Sequence, residues 1–329
     1  MTLIAPHVTA FLREHLPTQR SASQHTCETY TYALKLLFEY ASDRLKVTPS
    51  SLTMEQIDAA LILGFLDYLE NDRGNSPSTR NARLAAIKSF VRFTGNRQPA
   101  LLDQVHRVLA IPLKRTDNKL VGYLSIAEVQ ALLNAPQLET RTGVRDRAMI
   151  HLCYAAALRV SELVTLPHDA VTLHVEPAVR IIGKGRKERC LPLWKQAAND
   201  IRLWVKVRGD VTAVELFVNA RGGPMTRAGF EYVLRKHVES AARICPSLSQ
   251  RSVTPHVLRH TCAMTILQAT GDLRKVSLWL GHADMKTTQV YLQADPTEKL
   301  DAIESVIPPS LRRGRFRAPD KLIASLIGR

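Results

Sequence analysis

Imidazoles, a guanidinium and a phenol fall together in the 40 residues from Thr254 to Gln293. His256, Arg259 and His260 fall on one helix-like segment, Leu280-Gly281-His282 follows, and Tyr291 comes nine residues after His282. A phenol attacks once its proton is removed, a guanidinium grips phosphate oxygens bidentately, and an imidazole moves protons near neutral pH. These types together suit attack on a phosphodiester with side-chain cations in place of a metal ion. Such chemistry needs an in-line nucleophile, donors on the non-bridging oxygens and an acid for the departing oxygen.

Upstream residues extend the set. Arg159 in ALRVSEL and Arg259 in HVLRHT both occupy apolar helical contexts, where a guanidinium is costly to bury without an anion. A phosphate clamp and a structural ion pair both satisfy that rule, and Glu162 is an obvious partner three residues after Arg159. Lys184 lies in GKGRKER between two apolar runs, a hairpin pattern that could carry it, with Arg186 and Lys187, into a nucleic-acid groove. A plain basic β-turn reads the same way. The segment is not a P-loop, which requires GxxxxGK followed by Ser or Thr, so nucleotide binding is not indicated. His256 and His260 have the spacing of a metal half-site, yet Val257 stands where a metalloprotease helix needs Glu. With no cysteine or carboxylate cluster nearby, we expect neither metal nor other cofactor. His282 after Gly281 fits an imidazole exposed at a helix C-terminus. Tyr291 fits an amphipathic surface packer as well as a nucleophile, and in the second role adjacent cations must counter its ordinary pKa of roughly 10.

The elements that must position these residues divide at the middle of the chain. Residues 3–109 read as helices, with apolar spacing through Phe11, Tyr30, Leu34, Leu37 and Phe38. Thr53 and Gln56 form a capping box ahead of a helix reaching about Glu70, and Ser76-Pro77 opens another. On that second helix Leu84, Ile87 and Val91 make an apolar stripe, and Asn81, Lys88 and Arg92 share a neighbouring face able to track phosphates. A solvated polar face is the alternative. IPLKRTDNKLV, with its proline and mixed charges, reads as a linker over 111–121. After it, Ser125 and Glu128 make a capping box and 142–157 a strong helix. Val171–Val175, Val179–Ile182 and Cys190–Leu193 are short β-type runs. Helices return at about 194–208, 226–243, 256–269, 272–280 and 284–292, and a last one with Leu300, Ile303 and Ile307 on one face ends at Pro308-Pro309. The expected fold is mainly α with a small antiparallel β-sheet in the second domain. Its expected parts are a helical domain over 1–110, the linker, a second domain over 122–307 and a basic tail over 308–329.

Charge points to the partner. The 45 basic residues outnumber the 30 acidic by 15, an excess suited to a polyanion, with nucleic acid the default. The excess is uneven: residues 1–117 hold 14 basic and 11 acidic side chains, the remainder 31 and 19. Five scattered cysteines without a CxxC pair support neither a disulfide framework nor a zinc ribbon, which fits a reducing cytosol. The sequence has neither a long apolar run nor a signal-peptide pattern, so a cytoplasmic protein without a membrane partner is expected.

The segments ALRVSELVTL, IIGKGRKERCLPL, TPHVLRHTCAMTIL and LWLGHADMKTTQVYLQ together resemble the signatures of the tyrosine recombinase (phage integrase) family, in the same order and at comparable spacing. The resemblance covers essentially all of 118–307, and the helical first half looks like that family's core-binding domain with a weaker match. Xer-type and transposon-borne integrases are the nearest flavour, although LQAD follows Tyr291 where Xer proteins often have Thr-His, which leaves the subfamily open.

The resemblance implies a two-domain recombinase that cleaves and rejoins DNA through a 3′-phosphotyrosyl intermediate without metal or ATP. It implies Tyr291 as nucleophile, Arg159 and Arg259 as phosphate clamps, and Lys184 as the acid for the 5′-oxygen. His256 and His282 stabilise the transition state, His256 also accepting the tyrosine proton. Glu162 matches the accessory acidic position, whereas His260 falls on a position that is usually structural. The implied partners are a double-stranded recombination site and sister recombinases, within a homo- or hetero-tetramer on synapsed DNA. The last helix is expected to dock on a neighbouring subunit. A catalytically idle DNA-binding accessory protein and a strand-relaxing topoisomerase are the competing readings.

Overall fold

The computed structural model describes residues 2–116, 122–183 and 188–281, together with Thr288 and Tyr291. The chain divides into two compact units, Met1–Asn118 and Lys119–Arg329.

The first unit is helical among its described residues. It comprises α1 (Ile4–Ala10, continuing as a π-helical stretch over Phe11–Gln19), α2 (Gln24–Leu45), α3 (Ala59–Asn71), α4 (Pro77–Gly95) and α5 (Leu102–Ala110). Ser76 caps α4, its hydroxyl accepting the Thr79 N–H at 3.3 Å, with Pro77 at the first helical position where its missing N–H costs nothing. Leu84, Ile87 and Val91 are buried, as their spacing requires, in a core with Phe11, Leu37 and Phe65. The Thr53–Gln56 capping box is present but closes only a 3₁₀ turn, Met54–Gln56. The helix it was expected to start begins instead at Asp58, whose carboxylate accepts the Leu61 N–H at 2.8 Å.

The second unit is built from α6 (Ile126–Asn134), α7 (Arg141–Ala155), α8 (Val160–Val164), β1 (Val171–Thr172), β2 (Ala178–Ile182), β3 (Glu188–Pro192), α9 (Lys195–Arg208), α10 (Arg227–Ala242), α11 (Pro255–Thr270) and α12 (Leu273–Leu280). The strands form an antiparallel sheet in the order β1-β2-β3, with Val179 opposite Leu191 and Ile181 opposite Arg189. The β-type run expected over Val171–Val175 stops at Thr172, and the third strand starts two residues before Cys190. Pairing with β2 sets that third boundary, which hydrophobicity alone does not show.

α7 is the central helix, buried along almost its whole length. Two ion clusters lock it to its neighbours. Asp146 accepts from Arg145 at 2.7 Å and pairs with His237 of α10 at 2.9 Å, while Asp200 of α9 pairs with His151 at 2.7 Å and Arg147 at 3.1 Å. Gly143 in its first turn is required by close approach, since a Cβ there would lie 1.8 Å from the Gln137 carbonyl oxygen. The helix ends earlier than its apolar pattern, at Ala155. Ala157 turns left-handed at φ 48°, the Leu158 N–H reaches back to the Cys153 carbonyl at 3.1 Å, and the Ala157 N–H to that of Tyr154, also at 3.1 Å. That is a Schellman closure with alanine in the place that glycine usually takes.

Candidate active site

The break after α7 places Arg159. Sequence spacing put it in a helical context, but its backbone is extended (φ −68°, ψ 149°) and it caps the start of α8. Glu162 folds back so that one carboxylate oxygen accepts the Arg159 N–H at 2.9 Å and the other accepts from its guanidinium at 2.8 Å. The arginine is thereby oriented yet remains 38% exposed, open to a ligand, whereas the carboxylate is only 6% exposed.

Arg259, 3% exposed on α11, points into the same region. Its guanidinium donates to the Ala157 carbonyl at the broken end of α7 and to the Leu280 carbonyl at the end of α12, the latter at 2.6 Å. These are helix-terminal carbonyls that lack intrahelical partners and carry partial negative charge. Among the described residues the hydrogen bonds of Arg259 go to carbonyls alone, so its full charge has no bonded carboxylate. Burial, and then the neighbouring Arg159, hold its pKa down at about 10, with Glu162 pulling the other way. A buried cation in that position favours arrival of an anion.

On the same helix His256 and His260 face each other, Nε2 to Nε2, at 2.8 Å, one nitrogen donating to the other. The His260 ring lies 4.2 Å from the His256 ring centroid and 5.2 Å from that of Tyr291. His260, read from sequence as structural, therefore sits between the two. His256 is exposed, and burial of part of its ring, followed by the charges of Arg259 and Arg159, lowers its pKa below the ordinary histidine value. Tyr291 is 4% exposed rather than a surface packer. Burial pushes its phenol up to about 12, against the opposing pull of Arg259 and Arg159.

Arg189 on β3 was not singled out by sequence. It donates to both oxygens of Glu162, at 3.2 and 2.8 Å, and its side chain is only 10% exposed. Burial alone would raise the Glu162 pKa, but hydrogen bonds from Arg189 and Arg159 outweigh it and keep the carboxylate ionised. The clue is its strand parity: Arg189 shares its face with the buried Leu191, so a charge points inward and demands a partner.

Lys184, Arg186, Lys187 and His282 lie outside the described residues. Ile182 and Glu188 are paired across β2 and β3, so the segment carrying Lys184 joins two adjacent antiparallel strands. Gly281 is a left-handed C-cap of α12 at φ 63°, which fits the expected helix end before His282. In the first unit Asn81 and Lys88 hold the chain's own exit segment. Asn81 exchanges hydrogen bonds with the Lys114 backbone at 2.8 and 3.0 Å, and Lys88 donates to the Leu109 and Ile111 carbonyls at 2.7 and 2.5 Å. Burial, then Arg92 and Arg80, lower the Lys88 pKa, while Arg92 itself is exposed. Among the described residues no cluster of three His, Cys, Asp or Glu side chains could hold a metal ion, and no helix is long and apolar enough to cross a membrane.

The chain matches the model of the Phage integrase family over residues 123–298, and that of the Phage integrase, N-terminal SAM-like domain over 8–98. It is 43% identical over 325 residues to a putative integrase/recombinase, y4rC, of Sinorhizobium fredii, covering 98% of this chain and 97% of that one. It is 34% identical over 300 residues to the tyrosine recombinase XerD of Oceanobacillus iheyensis, covering 89% and 95%. The solved structure of XerH site-specific recombinase on a palindromic difH substrate, a post-cleavage complex, superposes with a TM-score of 0.65 at 23% identity over 87% of this chain and 81% of that one. At that identity the likeness is one of fold.

Proposed function

This chain belongs to the phage integrase family of tyrosine recombinases and is a site-specific recombinase, and we propose that Tyr291 cuts and rejoins its DNA through a covalent phosphotyrosyl bond. The observation that carries the reading is convergence. Arg159 and Glu162 from α8, Arg259 and His256 from α11, and the buried Tyr291 come together around the broken end of α7 although they span more than a hundred residues of chain.

Phosphate enters between Arg159, exposed and held by Glu162, and Arg259, buried and, among the described residues, bonded to carbonyls alone. Both guanidiniums gain as charge builds on the non-bridging oxygens. The Tyr291 oxygen attacks phosphorus and its proton passes to His256, whose lowered pKa keeps it neutral and able to accept. The P–O5′ bond breaks, and Lys184 supplies the proton that leaves with the 5′-hydroxyl. His282, which lies outside the described residues, is proposed to stabilise the same charge.

The phosphotyrosyl bond retains the free energy of the phosphodiester, so a 5′-hydroxyl from another strand reverses the step and seals the exchange without ATP. Exchange between two duplexes involves four strands, one Tyr291 for each, which supports assembly as a tetramer of this chain or of this chain with a sister recombinase. Leu300, Ile303 and Ile307 lie outside the described residues; their helical spacing in the sequence, just after the nucleophile, supports docking of that segment on a neighbouring subunit.

The test is a nicked suicide substrate carrying the chain's own recombination site. Protease digestion of the trapped complex should yield one nucleotide-linked peptide, containing Tyr291, in EDTA as in its absence. A linkage to another residue, or loss of trapping in EDTA, would contradict the reading.

A further inference from the structure

One carboxylate in this site is shared by four N–H groups. Glu162 Oε1 accepts from Arg159 Nη1 at 2.8 Å and Arg189 Nη1 at 3.2 Å, and Oε2 accepts from the Arg159 backbone at 2.9 Å and Arg189 Nη2 at 2.8 Å. The direction in which the Arg159 guanidinium points is therefore set by where Arg189 holds Glu162.

Arg189 also braces a second part of the site. Gly281 is left-handed, and a Cβ added there would lie 3.1 Å from Arg189 Cδ, 3.3 Å from Nη1 and 3.5 Å from Nε. The arginine stem fills the space that only glycine leaves, directly before His282 in the chain. Among the described residues its buried Nε meets no hydrogen-bond partner, so the stem is held there by packing and by the Glu162 pair. Arg189 further stands five residues after Lys184, on the strand into which the Lys184 segment leads.

We infer that Arg189 is a positioning residue that, from its place on β3, ties the Glu162–Arg159 pair to the left-handed Gly281 end of α12, setting the geometry of phosphate attack without touching the phosphate. This rests on the reading of Tyr291 as nucleophile. Lysine is not an equivalent, because a point charge cannot bridge both carboxylate oxygens in the plane that a guanidinium fork imposes.

The experiment compares the full-length chain with Arg189→Gln, Arg189→Lys and the double variant Arg189→Gln with Glu162→Gln. Equilibrium binding to site DNA, melting temperature, and the single-turnover rate of covalent trapping on the nicked substrate are measured from pH 4.5 to 8. Arg189→Gln is expected to bind within about threefold of wild type while trapping falls about 100-fold, the scale of a small misplacement of reacting groups. Its acid limb, which in wild type follows His256, should steepen and begin at higher pH, because Glu162 loses the hydrogen-bonding cation that offsets its burial. Arg189→Lys should recover the acid limb in part and the rate incompletely. The double variant should trap no more slowly than Arg189→Gln, since both changes break one unit.

Trapping by Arg189→Gln within about threefold of wild type, with an unmoved acid limb, overturns the inference. So does a parallel fall in melting temperature, binding and trapping that Arg189→Lys restores fully, which would mark a plain structural charge. If Arg189→Gln does not fold, Arg189→Lys carries the same comparison, and a wild-type rate and pH profile in that variant overturns the inference. Wild-type protein that binds but traps no DNA refutes the nucleophile assignment itself and this inference with it.

Discussion

As the proposed nucleophile, Tyr291 starts from a neutral phenol. With its pKa pushed up to about 12, free ionisation at pH 7 would cost roughly 7 kcal/mol, so the proton must leave as the oxygen attacks. His256 is the exposed base proposed to take it, its ring against His260, which in turn contacts Tyr291, and its lowered pKa means that the neutral form persists below the ordinary histidine range. Trapping should therefore stay near its neutral-pH rate at about pH 6.5 and fall only as His256 protonates below that. His256→Gln should flatten that acid limb and slow trapping about 100-fold, as read from single-turnover rates. Glu162 is the second titrating group. Its folded pKa lies below the ordinary carboxylate value, so its stabilisation is complete above about pH 4.3 and is lost as pH falls through the folded value. At pH 7 Glu162→Gln leaves buried arginine charge without its partner and should cost about 3 kcal/mol, a drop of roughly 5–10 °C in Tm. Calorimetry should show that gap closing below about pH 4.

At the scale of elements, the site depends on three helix ends and one strand register. Gly281→Ala would put a Cβ into Arg189 at φ 63°, so a loss of about 1–2 kcal/mol is expected from the backbone alone, measurable by denaturant midpoint. On α4 the polar face divides. Lys88→Met should loosen residues 109–114 and speed tryptic cleavage at Lys114 and Arg115 while leaving the salt slope of DNA binding unchanged. Arg92→Ala should reduce that slope by about one, since its side chain is exposed and bonded to no carbonyl of that segment. Helix starts were legible wherever the signal is local, as at Ser76-Pro77 and at Ser125 with Glu128. The Thr53–Gln56 box was legible as a cap but not as the cap of a single turn. The end of α7 was hidden because alanine is a helix former, and nothing local announces the left-handed turn at Ala157. The inward aim of Arg189 follows only from the pairing of β3 with β2, which is a tertiary fact.

For the whole molecule, Arg159, Lys184, His256, Arg259, His282 and Tyr291 could be proposed as one set because the segments carrying them resemble the phage integrase signatures in order and spacing; residue type alone left each with a plain structural reading. What each side chain does before DNA arrives was not readable. The sequence does not reveal that Tyr291 is buried, that His260 lies against both it and His256, or that Asn81 and Lys88 are engaged by the chain's own carbonyls. The net charge of +15 supports DNA affinity that falls steeply with salt, linear in log–log form as counterions are released. The central claim is that the buried phenol of Tyr291 forms the covalent bond. It is tested most directly by measuring, on one nicked suicide substrate, both equilibrium binding and covalent trapping by wild type and Tyr291→Phe. Equal affinity within about twofold and trapping by wild type alone are expected, because the hydroxyl is needed for attack and not for grip. A covalent adduct formed by Tyr291→Phe would contradict it.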